Sequence, residues 1–292
     1  MNRAQALTFP LLTLIFAGVL ATLTVHAAEL QVPKQVTAGT AFSIPTTGSG
    51  DATFYLLGPG YAAKRQVKRG TTIEVHENEV RSAGRYTAML CSSECASSVF
   101  FVNATSPAQL SLLVHPSRVP VAANDAISAV AFVFDKFHNL VLQPVNVDFK
   151  AALKDAPTVS KSLSTSNGVA WMRMASTRRE GPAQIVASVG ADSEKRVVQQ
   201  VASDACHLTI RASRKGKLIE VQTDPVRDCS GNAVPDGTVV TFSKVDASGK
   251  TTVDAPIKRG VAKAEMPAQG EATISVASGV AIGNEVRIGG AL

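Results

Sequence analysis

Aromatic side chains are scarce in this 292-residue chain, 5% of the total with a single Trp. Proteins that stack on single-stranded nucleic acid are expected to carry more exposed rings. Charge of one sign is equally thin: 29 Lys and Arg stand against 23 Asp and Glu. An excess so mild and scattered serves solubility and argues against nucleic-acid binding. No Gly-x-Ser-x-Gly elbow occurs; the nearest segment, Thr46-Thr-Gly-Ser-Gly50, reads as a loop. No zinc-protease motif and no phosphate-cradling glycine loop with Lys is found. His76, His115, His138 and His207 are dispersed along the chain and read as surface or strand residues. No catalytic residue, cofactor or metal ligand is therefore expected, which leaves an enzyme with an unfamiliar site as the weakest reading.

Long apolar runs are missing too, save one. Arg3 is followed by an apolar stretch over about Leu11–Val25 and then by Val25-His26-Ala27, a small-x-small pattern. This order predicts a secretory signal helix over residues 1–27, cleaved before Ala28. The alternative is an uncleaved anchor, because the run approaches the ~18 residues that span a bilayer. After cleavage no integral membrane segment remains. The protein is then exported, to the periplasm, the cell surface or the medium. The mature chain of about 265 residues is long enough for two or three domains.

Four cysteines are present, Cys91, Cys95, Cys206 and Cys229. In an exported protein an even number argues for disulfides. Cys91–Cys95 and Cys206–Cys229 are the expected pairs among three possibilities, since each keeps both partners within one expected domain. A metal or redox site is the alternative, but Cys91-Ser-Ser-Glu-Cys95 has a spacer longer than that of thioredoxin-type motifs, and no His cluster stands nearby.

What the sequence does contain is short β-prone runs divided by Gly, Pro, Asn, Asp and Ser. Ser128–Phe134, Val145–Phe149, Leu218–Thr223 and Ala272–Val276 are examples. Alternation of apolar and polar residues predicts strands with one face in a core. The fold class expected is all-β, with tandem sandwiches.

An internal repeat supports this. Asp135-Lys-Phe-His-Asn139 aligns with Asp228-Cys-Ser-Gly-Asn232, a shift of 228 − 135 = 93. Gly168-Val-Ala170 then meets Gly260-Val-Ala262, and Gly181–Ile185 meets Gly270–Ile274, at shifts of 92 and 89. A period near ninety residues is that of a whole domain. The expected units are 28–104, 105–204 and 205–292. Asp135, Asn139, Asp228 and Asn232 read as loop-forming residues whose side chains bond the local backbone. Gly260 lets the chain turn into the next strand.

With these residues the chain resembles a family. Asp228–Phe242 with its Pro235-Asp236-Gly237 turn, Gly260-Val-Ala262 and Gly270–Gly279 resemble the bacterial immunoglobulin-like domains of invasin and intimin type. Residues 106–204 resemble a weaker copy, with Gln143-Pro144-Val145 replacing the Pro-Asp-Gly turn. The resemblance implies a sandwich that spaces or presents adhesive surfaces and carries no catalysis. In the first unit, Ser82-Ala-Gly-Arg-Tyr86 is similar to the tyrosine corner of immunoglobulin folds.

Two basic clusters complete the reading. Lys64, Arg65, Lys68 and Arg69 form one; Arg214, Lys215 and Lys217 form a hairpin tip. They read as solvated turns that discourage edge-to-edge association, or as contacts to an anionic glycan or lipopolysaccharide. Asn124, Asp125, Asp135, Asp204 and Asp228 are too dispersed for calcium and read as turn acids in solvent. The function expected is structural, adhesive or protein-binding, at the envelope or surface, with a protein or anionic glycan as partner. A periplasmic adaptor of a larger assembly is the alternative.

Overall fold

The computed structural model describes residues 30–289, apart from 154 and 268. The expected signal helix lies outside the described residues. Within them the chain is all-β, and the one helical turn is a 3₁₀ segment at Glu77–Glu79. No described helix is long and apolar enough to cross a membrane.

Alternation drives the strands, because successive side chains leave a strand on opposite faces. Ile127–Asp135 buries Ile127, Ala129, Ala131, Val133 and Asp135 and leaves the intervening residues partly open. Asn146–Ala152 does the same with Val147, Phe149 and Ala151. The first sandwich sets a five-stranded sheet, in the order Gln35–Thr37, Cys95–Asn103, Gly84–Cys91, Asp51–Gly58, Tyr61–Lys68, against the pair Phe42–Pro45 and Thr72–Val75.

The second pairs a three-stranded sheet (Val169–Met174, Ile127–Asp135, Pro107–His115) with a five-stranded one. The latter runs Val159–Ser164, Asn146–Ala152, Gly181–Val189, Asp192–Val201, Arg118–Pro120. The third packs Ile210–Lys215, Leu218–Thr223 and Lys263–Pro267 against Gly249–Pro256, Val239–Asp246 and Ala272–Ser278; Ala281–Ile282 and Val286–Ile288 both pair with the last.

Buried apolar side chains fall into three clusters with no common member. They centre on Phe54, Tyr86 and Phe100, on Phe149 and Ile185, and on Phe242 and Ile274. Tyr86 lies flat on Gly58, where a Cβ would overlap the ring, so only glycine permits that packing. Open sheet edges are covered by side chains: Asp192 accepts the Leu110 N–H at 2.7 Å and Glu194 accepts that of Leu112 at 2.8 Å. Asn284 accepts the Ile210 N–H at 2.7 Å in the third sandwich. Such caps remove the free donors that would pair with another chain.

Candidate functional site

Ile127–Asp135 ends in the loop that carries Asp135-Lys-Phe-His-Asn139. The Asp135 side chain is fully buried rather than in solvent, which corrects the reading of it as an exposed turn acid. One carboxylate oxygen accepts the N–H groups of Phe137 and Asn139, both at 2.8 Å. The other accepts the Thr105 N–H and the Asn139 side-chain amide, both at 2.9 Å. Burial pushes this carboxyl's pKa up, yet the bonds from Asn139, Thr105 and Phe137 outweigh it and hold the pKa below the usual carboxylate value. Asp135 thus fixes its own loop to the segment arriving from the first sandwich.

Asn139 reaches the other way. Its Nδ2 donates to the Arg81 carbonyl at 2.7 Å, and its Oδ1 accepts the Ala83 N–H at 2.7 Å. Both belong to the turn before Gly84 in the first sandwich. A carboxamide holds one donor group and one acceptor side by side, so a single side chain satisfies both main-chain groups across the junction.

The third sandwich repeats the arrangement against the second. Asp228 accepts Ser230 N–H at 2.8 Å and Asn232 N–H at 2.9 Å on Oδ1, and Ser203 N–H at 3.1 Å on Oδ2. Asn232 Nδ2 donates to the Arg178 carbonyl at 2.8 Å, and its Oδ1 receives the Glu180 N–H at 3.4 Å. Asp228 is likewise buried, and the bonds from Asn232, Ser203 and Ser230 overcome that burial and lower its pKa. The motif is a clasp between neighbours as well as a loop. Its signal in the sequence was the recurrence of Asp and Asn at one shift, 135 to 228 and 139 to 232.

The junctions also differ. At the first, Phe137 packs onto the first hydrophobic cluster and lies over Gly39, whose φ of +68° and lack of a Cβ admit the ring. At the second, the corresponding residue is Ser230, and a Cys206–Cys229 disulfide stands beside Asp228. Clefts of about 420 and 690 Å³ flank the first and second junctions.

The first basic cluster is divided by the strand that carries it. Lys64 and Lys68 point to solvent, and Lys64 lies 5.8 Å from the Tyr55 ring centre. Arg65 points the other way, ion-pairs with Glu79 at 3.2 Å and donates to the Glu74 carbonyl at 2.6 Å. Burial raises the Glu79 pKa, but the His76 N–H, the Tyr61 hydroxyl and Arg65 together hold it below the usual value. Arg69 contacts Ser92 at 3.5 Å. At the far hairpin, Lys215 pairs with Glu220 at 2.6 Å, and Arg214 donates to the Gly289 and Gly270 carbonyls. Arg65, Lys215 and Arg214 each have partners within the fold.

Cys91 is bridged to Cys95 at the end of its hairpin. The buried Tyr86 hydroxyl has no partner at full hydrogen-bond geometry; burial raises its pKa, and a looser approach to the Ser82 backbone offsets part of that. Gly260 has a φ of +81°, and Asp236 accepts its N–H at 3.1 Å together with that of Arg259 at 2.8 Å. Among the described residues no three His, Cys, Asp or Glu side chains gather as metal ligands.

One exposed feature was not singled out from the sequence. On the outer face of the three-stranded sheet of the second sandwich, Val130 pairs with Trp171 on one side and Leu113 on the other. Trp171 is 63% exposed and Leu113 57%, so the row places a large apolar surface in water.

Sandwiches of this kind in succession have the fold of the bacterial immunoglobulin-like proteins of invasin and intimin type. Among solved structures, the chain is similar to FdeC, a broadly conserved Escherichia coli adhesin, at 16% identity and a TM-score of 0.61, covering 90% of this chain and 96% of that one. It is also similar to invasin, a bacterial integrin-binding protein, at 12% identity and a TM-score of 0.51, over 89% of this chain and 59% of that one. No family model and no curated protein matches the chain. At these identities the likeness is one of fold.

Proposed function

We propose that this is an exported, non-enzymatic protein of the cell envelope or surface. In this reading, immunoglobulin-like modules at 28–104, 105–204 and 205–292 are held in fixed succession to present an adhesive or protein-binding face. The observation that carries the reading is the clasp used twice, with Asn139 on Arg81 and Ala83, and Asn232 on Arg178 and Glu180. A stalk transmits position and force only if its joints do not swivel, and paired hydrogen bonds backed by a buried carboxylate resist swivelling. The fold likeness to an adhesin and to an integrin-binding protein supports the adhesive assignment.

The face proposed for the partner is the row Trp171, Val130 and Leu113, because an aromatic anchor flanked by apolar residues is how interfaces concentrate binding energy. The test displays residues 28–292 on non-adherent bacteria and counts attachment to epithelial cells. Attachment above the empty display control is expected, falling several-fold for Trp171→Ala while the melting temperature holds. No attachment, with a single stoichiometric partner recovered from envelope fractions, replaces this reading with that of a periplasmic adaptor. An anionic glycan as partner requires binding that weakens with salt; salt-indifferent binding leaves a protein partner.

A further inference from the structure

The turn that receives Asn139 in the first sandwich, and Asn232 in the second, has a counterpart in the third. Each turn ends at a glycine: Gly84, Gly181 and Gly270. Aligned on these, the Arg81 carbonyl and Ala83 N–H correspond to those of Arg178 and Glu180, and of Pro267 and Gln269. Strand register gives the same alignment independently. Four residues past each glycine, Ala88 pairs with Leu56, Ile185 with Ala151, and Ile274 with Lys244.

In the third sandwich these two main-chain groups are held from within. Lys244 Nζ donates to the Pro267 carbonyl at 2.6 Å, and Asp246 Oδ2 accepts the Gln269 N–H at 3.0 Å. Lys244 and Asp246 are ion-paired at 2.7 Å, with side chains 2% and 0% exposed. An ammonium beside a carboxylate offers one donor group and one acceptor, the same pair that a carboxamide offers. The earlier sandwiches carry Leu56 with Gly58, and Ala151 with Leu153, at the corresponding positions. None of these side chains has a polar atom, so each turn stays open for the incoming Asn.

A buried ion pair adds little net stability compared with apolar packing, and removing one partner strands the other. Its presence here therefore calls for a role in specificity. Arg214 covers the same end, donating to the carbonyls of Gly270 and Gly289.

We infer that Lys244 and Asp246 close the receiving turn of the third sandwich, making it a terminating module that refuses a follower bearing an Asp-x-x-x-Asn loop. An incoming Asn finds both main-chain groups occupied and must separate a buried ion pair to reach them. The inference rests on the reading of the clasp given above.

The test places a second copy of residues 202–289 after Gly289, in place of residues 290–292, in the native background and in K244A/D246L, which restores the residue types of the second sandwich. Spin labels report the distance distribution across the new junction and, in the same molecule, across the Asn232 junction. The native background is expected to give a broad distribution at the new junction, and K244A/D246L one as narrow as at Asn232. A narrow distribution in the native background overturns the inference. So does a broad one in K244A/D246L while the Asn232 junction stays narrow. A broad distribution at the Asn232 junction itself refutes the clasp reading instead, and is separable on that ground. Circular dichroism and a cooperative melt verify folding; if K244A/D246L fails them, K244M/D246A, which likewise has no acceptor for the Gln269 N–H, is measured in its place with the same outcomes.

Discussion

The two junctions share a clasp and differ in what stands behind it. At the first, Asn139 makes both of its cross-junction bonds at 2.7 Å and Phe137 inserts its ring over Gly39. At the second, one of the two Asn232 bonds lengthens to 3.4 Å, Ser230 replaces the ring, and a disulfide braces the loop within its own sandwich. The first is held by apolar contact with its neighbour; the second relies on a loop that is stiff before it meets its neighbour. Similar joints can thus be built by packing across the seam or by rigidity on one side of it.

The largest effect is expected from the shared element. Asp135→Ala strands several N–H donors at once and is expected to cost about 3 kcal/mol, read by urea unfolding followed at Trp171, the single Trp, which lies in the second sandwich. Asp228→Ala should act alike on the third, read by hydrogen exchange over residues 205–289. Acid is the reversible form of both changes. Because these pKa values are depressed on folding, the stabilisation is complete above the unfolded value near ~3.9 and is lost as pH falls through the lower folded values. Both junctions should therefore loosen together below about pH 4. An acid response confined to one junction would separate them.

Next comes the brace. Cys206→Ser with Cys229→Ser opens a link of sequence separation 23 and is expected to destabilise the third sandwich by ~3 kcal/mol, with the first junction unchanged in hydrogen exchange. Phe137→Ser makes the first junction resemble the second and should cost about 2 kcal/mol; small-angle scattering should show a wider spread between the first and second sandwiches. Smallest is the clasp side chain. Asn139→Ala is expected to cost ~1–2 kcal/mol and Asn232→Ala about 1 kcal/mol, because a bond at 3.4 Å contributes less than one at 2.7 Å. Equal costs would show that the distance difference is immaterial.

Much of the scaffold was legible. Alternating runs such as Ser128–Phe134 and Ala272–Val276 lie in strands with one buried face. The Asp-and-Asn recurrence marked the right loops, because a buried carboxylate that organises a turn leaves its identity in the sequence. The other half of each clasp did not, since it consists of the main-chain carbonyls of Arg81 and Arg178 and the N–H groups of Ala83 and Glu180. Main-chain groups are the same at every position, so no residue type announces them. Phe137 was a clue left unused, an aromatic in a polar loop. Lys244 was another, a charge at an inward position of a strand. The division of the first basic cluster was not legible, because a strand sends neighbouring residues to opposite faces, separating Arg65 from Lys64. Trp171 was passed over because one aromatic in a β run gives no indication of which way it faces.

Because each clasp reads a carbonyl and an N–H of the preceding turn, it asks of that neighbour a suitable backbone bend and no polar side chain already bonded to those two groups. Outside those few positions the neighbour's surface can drift without spoiling the connection. Such a coupling behaves like a standard thread, on which unlike parts can be mounted wherever the receiving turn is left open.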